Sequence, residues 1–365
     1  MTTQPGSLAG ITKWPISHEV PDLTGRIALV TGAKFVSYVF LSTLFALTYS
    51  SSPGGMGFHT AYQLASKGAK LYIGARSASK AQSAIQEMRK ENPSITEDQL
   101  VPFVADLGDI KAVRDAGRAM LQSESRLDIL VHNAAMYLNM SRPLHTKHTD
   151  MLSSISMPVV INPDGISVSF ATNHFGPFVL TKTLMPLLAQ AAEITGDARV
   201  VTISATAYKF LPPGIRFDSI DSFNVEMEPT TLGGADFTRY SLSKLANILF
   251  ARQLQKNFDA VNMNAISMAI HPGLIKTDGV INWLPADYLE GRLTPAEGVV
   301  TALFAATSPK VFAERDVYKG AFLVPPGSIE APVGDARDEK LAQELWETSE
   351  RIVESVCGKS GMTEQ

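Results

Sequence analysis

Short apolar runs recur along the chain, each followed by a longer stretch in which apolar residues return every three or four positions. The runs at residues 26–31, 69–74 and 100–105 predict buried strands, and the stretches at 57–67, 80–91 and 109–123 carry the helical period. Three further strands are predicted at 127–131, 199–203 and 263–270. Long helices are predicted over 172–192 and 241–258, and a last strand over 321–324. Strands that alternate with helices in this way predict an α/β fold: one doubly wound, parallel sheet covered by helices on both faces. No repeat, linker or low-complexity tract interrupts the pattern. The expected organisation is a lead-in over 1–25, a single domain over 26–355 and a tail over 356–365.

Composition narrows the function. Hydrophobic residues make up 45% of the chain and charged residues 19%, the balance of a protein with a substantial core. A net charge of −4 without a dense Lys/Arg stripe argues against nucleic acid as a partner. The single cysteine, Cys357, cannot close an internal disulfide, and no Cys/His spacing suggests a metal site. Lys13, His18, Glu19, Asp22 and Arg26 break up the first thirty residues, so no signal peptide is readable there. The expected location is cytoplasmic and the expected partner a small-molecule substrate, with a homo-oligomer left open.

The turn after the first strand carries a split glycine pattern. Thr31-Gly32-Ala33 ends the strand and Pro53-Gly54-Gly55-Met56-Gly57 opens the helix, with the apolar stretch 34–52 between them. Glycines here permit a tight bend and let backbone N–H groups at the helix start approach a pyrophosphate, the device of a Rossmann-type sheet. A glycine-rich surface loop is the competing reading. Within the stretch, 35–49 has 15 residues, four of them Ser or Thr, whereas a membrane span needs about 20 mainly apolar ones. A span would also place a strand and its own helix on opposite sides of a bilayer. The preferred reading is an insertion foreign to the fold, such as a retained in-frame intron would encode; a shallow membrane anchor is the alternative.

With the stretch set aside, Thr-Gly-Ala-Pro-Gly-Gly-Met-Gly resembles the TGxxxGxG signature of the short-chain dehydrogenase/reductase family, classical type. Tyr240-Ser241-Leu242-Ser243-Lys244 matches that family's YxxxK, and residues four apart on a helix share a face. A nearby ammonium group stabilises phenolate, so Lys244 is expected to hold the pKa of Tyr240 down. A Tyr/Lys pair on an ordinary surface helix is the competing reading.

The second strand is followed by Arg76, with no carboxylate to accept hydrogen bonds from ribose hydroxyls. A guanidinium there suits a 2′-phosphate, so the expected cofactor is NADP(H). The resemblance adds cofactor contacts at Thr31, Gly32, Gly55, Gly57, Asp106, Asn133, Tyr240, Lys244, Pro272, Gly273 and Thr277, and a proton-relay role for Asn173. In relatives the fifth strand usually ends Ser-Ser, the second hydroxyl polarising the substrate carbonyl. This chain has Ser204-Ala205-Thr206, leaving Ser204 as the expected donor and Thr206 as its substitute.

The family resemblance thus implies a reversible reduction of a carbonyl to an alcohol. Phe210 and Leu211 within 208–237, and Trp283, Leu284 and Tyr288 within 280–304, suggest an apolar pocket wall for a lipophilic substrate, though such residues could equally be core. The rival expectation is a catalytically inactive NADP-binding or scaffold protein, motivated by the split turn and the missing second serine.

Overall fold

The computed structural model describes residues 20–33, 54–135, 159–228, 234–277 and 289–358. The interposed stretch 34–52 lies outside the described residues, as do Trp283, Leu284 and Tyr288. Eight strands, β1 (Ile27–Val30), β2 (Lys70–Ala75), β3 (Leu100–Val104), β4 (Ile129–His132), β5 (Ala198–Ile203), β6 (Ala265–Ile270), β7 (Phe322–Val324) and β8 (Ser328–Ile329), form one sheet. Their order is β3-β2-β1-β4-β5-β6-β7-β8, parallel from β3 through β7, with β8 antiparallel at the edge. Every residue of β1, β4, β5 and β6 is buried, which explains their largely apolar character.

Both faces are covered. Along β1, Ile27 and Leu29 join one core and Ala28 and Val30 the other, the period of two that a strand imposes. Helices α1 (Met56–Ser66), α2 (Ala78–Glu91) and α6 (Val300–Thr307) bury Phe58, Ala81 and Leu303 on the second face. Helices α3 (Ile110–Ser123), α4 (Gly176–Thr195) and α5 (Ala235–Ala260) bury Met120, Leu184 and Leu249 on the first. The terminal helix α7 (Glu339–Cys357) packs outside α5 and α3, running past the domain end expected at residue 355. The order of strands reverses between β1 and β4, so a crevice opens beyond their carboxyl ends, where doubly wound sheets bind ligands.

The structure departs from the predicted elements in three places that matter. The helix expected from 172 is a single turn at Val168–Phe170, then a π-helical stretch at Ala171–Phe175, then α4. Asn173, His174 and Phe175 are all buried there, at 1%, 1% and 0% exposure, as are the first residues of α4. Helix α5 begins at Ala235, well before residue 241, so Tyr240 stands more than a turn inside it. Finally, the end of the stretch 280–304, for which no element is predicted, opens α6, whose Ala302 and Leu303 are fully buried on the α1 face.

Candidate active site

The end of β1 is clasped to the end of β4. Thr31 Oγ1 accepts hydrogen bonds from the backbone N–H groups of Asn133 and Ala134, both at 3.1 Å. Asn133 Nδ2 donates back to the carbonyls of Thr31 at 3.0 Å and Gly32 at 3.3 Å. Gly32 adopts φ +65°, and a Cβ there would lie 2.8 Å from Ala134 Cα. Helix α1 is pressed onto this clasp at Gly57, where a Cβ would sit 2.3 Å from Asn133 Nδ2 and 2.4 Å from the Gly32 carbonyl oxygen. The glycines on the two sides of the interposed stretch therefore meet in space, as one turn.

Helix α1 is capped by Gly55, whose missing side chain leaves the first-turn N–H groups uncovered by a cap, and no acidic residue stands in that turn. A positively polarised helix end beside a strand switch fits a pyrophosphate. Arg76 follows β2 directly and is exposed, while Ser77 caps α2 by accepting from the Lys80 N–H at 3.4 Å. Asp106 follows β3, also exposed, and its Oδ1 accepts from the Gly108 N–H at 2.9 Å. These residues could hold an adenine dinucleotide along the β3-β2-β1 edge.

The hydrogen-transfer end lies across β5 and α5. Lys244 is 2% exposed, and its Nζ donates to the carbonyl of Ile203 at 2.9 Å. Nζ stands 5.5 Å from the centre of the Tyr240 ring. Removal from water lowers the Lys244 pKa from 10.5 to about 7 and pushes the Tyr240 phenol above its ordinary value. Desolvation is the cause of both shifts, and the expected effect of Lys244 on the phenol would act against it. Tyr240 keeps its proton at neutral pH.

Asn173 reaches the same helix: its Nδ2 donates to Ser243 Oγ at 3.0 Å, and Ser243 Oγ donates to the Tyr240 carbonyl at 2.8 Å. Asn247 Nδ2 shares the Ile203 carbonyl with Lys244, at 3.0 Å. Ser243, Asn247 and the Ile203 carbonyl were not singled out in the sequence. Ser243 directly precedes Lys244, and Asn247 lies about one turn beyond both on α5. Their partners belong to other elements, which no local pattern reveals.

Ser204 is turned away from the crevice. It is 2% exposed, and its hydroxyl donates to the Lys244 carbonyl at 2.7 Å, so its proton is committed to the backbone of α5. This removes Ser204 as the expected donor to a substrate carbonyl. Ala205 has no hydroxyl to offer, and Thr206, half-buried, opens the short turn Thr206–Phe210. Beyond β6, Pro272 is buried and Gly273 follows, while the Thr277 N–H donates to the Ile275 carbonyl at 2.8 Å; this segment follows the strand next to β5.

Comparison with known proteins agrees with this geometry. The family model described as short chain dehydrogenase matches residues 50–214, starting at the far end of the interposed stretch. A short-chain dehydrogenase/reductase of Armillaria gallica is 32% identical over 345 residues, covering 91% of this chain and 94% of the relative. Retinol dehydrogenase 14 of Mus musculus is 29% identical over 351 residues, covering 90% of this chain and 86% of that protein. Among solved structures, an uncharacterized protein from Mycobacterium paratuberculosis superposes with a TM-score of 0.62 at 25% identity, covering 94% of this chain and 98% of that one.

Proposed function

Because the chain belongs to the short-chain dehydrogenase/reductase family, we propose that it is an NADP(H)-dependent oxidoreductase that reduces a carbonyl group on a small, apolar substrate. The observation that carries this reading is the convergence of Tyr240 and Lys244 on α5, with Lys244 buried and fixed to the end of β5. Thr31, Gly32, Gly55, Gly57 and Asn133 would hold the pyrophosphate half of the cofactor, Arg76 its 2′-phosphate, and Pro272, Gly273 and Thr277 its nicotinamide half. When bound, the dinucleotide supplies the hydride.

The chain's own part is the proton. Tyr240, kept protonated by desolvation, gives its hydroxyl proton to the oxygen that gains charge as the carbonyl is reduced. Lys244, with a pKa lowered to about 7, can exchange a proton near neutral pH and so help restore the phenol. Asn173, through Ser243, anchors the backbone beside Tyr240. The relative named for retinol, a lipophilic alcohol, supports an apolar substrate class.

A second reading, an NADP-binding protein without turnover, is favoured by the committed hydroxyl of Ser204 and the absent one at Ala205. Fluorescence titration with NADPH, followed by a panel of lipophilic ketones and aldehydes, separates the two. Binding with turnover is expected; binding without turnover on any member would favour the second reading, and no binding would refute both.

A further inference from the structure

We propose that Asn247 is a positioning residue for Lys244: by filling the second lone pair of the Ile203 carbonyl, it fixes where the lysine head docks and weakens the acceptor that would hold it as an ammonium. The inference rests on the reading of Lys244 as the group that helps restore the phenol, and deepens it. Asn247 is 4% exposed and stands three residues after Lys244, so the two side chains leave α5 on one face. Lys244 Nζ and Asn247 Nδ2 donate to the Ile203 carbonyl at 2.9 Å and 3.0 Å. A carbonyl oxygen only accepts, so the amide must present its nitrogen there, and the two donors fill both lone pairs.

The joint is closed in the opposite sense by Ser204, the residue after Ile203, whose hydroxyl donates to the Lys244 carbonyl at 2.7 Å. Ser204 thus holds the backbone of Lys244, while Asn247 meets its head. The amide N–H dipole turns its positive end toward the oxygen that Nζ also uses. It therefore draws on the negative potential there and disfavours a second positive charge, whereas a neutral amine is little affected.

The surrounding groups leave this carbonyl decisive. On α5 itself, Nζ faces the Tyr240 ring at 5.5 Å. The elements packed against α5 add His132 at the end of β4, His174 in the π-helical stretch, His271 after β6, and Tyr208 and Lys209 in the turn after β5. Burial holds the three imidazoles neutral, with pKa values lowered to about 3, 3 and 4, and Lys209 pairs with Glu330. Burial is likewise the cause of the lowered Lys244 pKa, and among the described residues no carboxylate pairs with its Nζ. The charge of Lys244 therefore depends on how much of the Ile203 carbonyl Asn247 leaves to it.

The test reads the lysine head directly. Lysine isotope-labelled at Cε is titrated by NMR in the full chain without cofactor, the Lys244 resonance being assigned by its loss in Lys244→Met. Asn247→Leu and Asn247→Met fill the space without a donor, the unbranched methionine fitting where leucine would not. Either should raise the Lys244 pKa by about half a unit to one unit, roughly three- to tenfold in proton affinity, since an opposing dipole leaves a desolvated site. Ser204→Ala opens the same joint without touching the Ile203 carbonyl and should leave that pKa where it is. An unmoved pKa in the Asn247 variants overturns the proposal. So does an equal rise in Ser204→Ala, which would mean that water entering a loosened joint is responsible. Where turnover is measurable, the alkaline limb of kcat/KM should move upward by the same amount. A moved resonance with an unmoved limb, or with no turnover at all, supports the positioning role and removes only the reading of Lys244 as the group that restores the phenol.

Discussion

The substitution Lys244→Met removes an ammonium group from a position only 2% exposed, where burial has lowered its pKa from 10.5 to about 7. Because the folded pKa lies below the unfolded one, the unfolded chain binds more protons between these values. The stability tied to this group is therefore fully present above about pH 10.5, declines as pH falls, and is fully lost below about pH 7. At about 1.4 kcal/mol per pH unit, the whole interval corresponds to at most about 5 kcal/mol. Methionine fills similar volume without a charge, and the Ile203 carbonyl keeps a donor in Asn247 Nδ2 at 3.0 Å, so no buried acceptor is orphaned. The variant should therefore be more stable than wild type at pH 6, and its advantage should shrink by about 2–3 kcal/mol between pH 6 and pH 9. Denaturant unfolding of both proteins at several pH values measures this, with cofactor absent. A difference that does not change with pH would refute the reasoning, since it would mean that Lys244 titrates alike in the folded and unfolded chains.

The same geometry sets the outcome of four other changes. Tyr240→Phe should retain NADPH affinity but lose about 10²- to 10⁴-fold in turnover, the usual cost of removing an acid/base group; retention of more than about a tenth of the rate would exclude Tyr240 as the proton donor. Arg76→Asp should weaken NADPH binding at least about tenfold more than NADH binding, since it exchanges a phosphate partner for a repelling charge, and equal losses in a titration would rule that role out. Gly57→Ala places a methyl group 2.4 Å from the Gly32 carbonyl oxygen, so a lowered thermal midpoint and weakened NADPH binding are expected together; a variant unchanged in both would contradict the close packing of α1 on β1. Deleting 34–52 should raise the thermal midpoint and tighten NADPH binding, because an apolar excursion from this turn must either expose its side chains to water or lie across the phosphate site, and equal values for both proteins would mark it as a tolerated native element.

The sequence by itself determined the layered α/β architecture, because buried parallel strands must be largely apolar and their covering helices must carry a 3.6-residue period. It also determined where the two halves of the glycine turn lie and that Tyr240 and Lys244 share a helix, since both follow from local spacing. The direction of the Ser204 hydroxyl was decided only by the tertiary structure. A strand's period of two assigns a face, but the carbonyl that Ser204 meets belongs to Lys244, forty residues away on α5. The π-helical turn at Ala171–Phe175 was likewise invisible, because it is stabilised by non-local partners: Ser243 for Asn173, and Ser349, at 2.7 Å, for His174. The raised phenol pKa of Tyr240 has the same origin. Chain spacing brings a cation near the ring, yet only packing fixes how far both groups are removed from water, and that removal raises the one pKa and lowers the other.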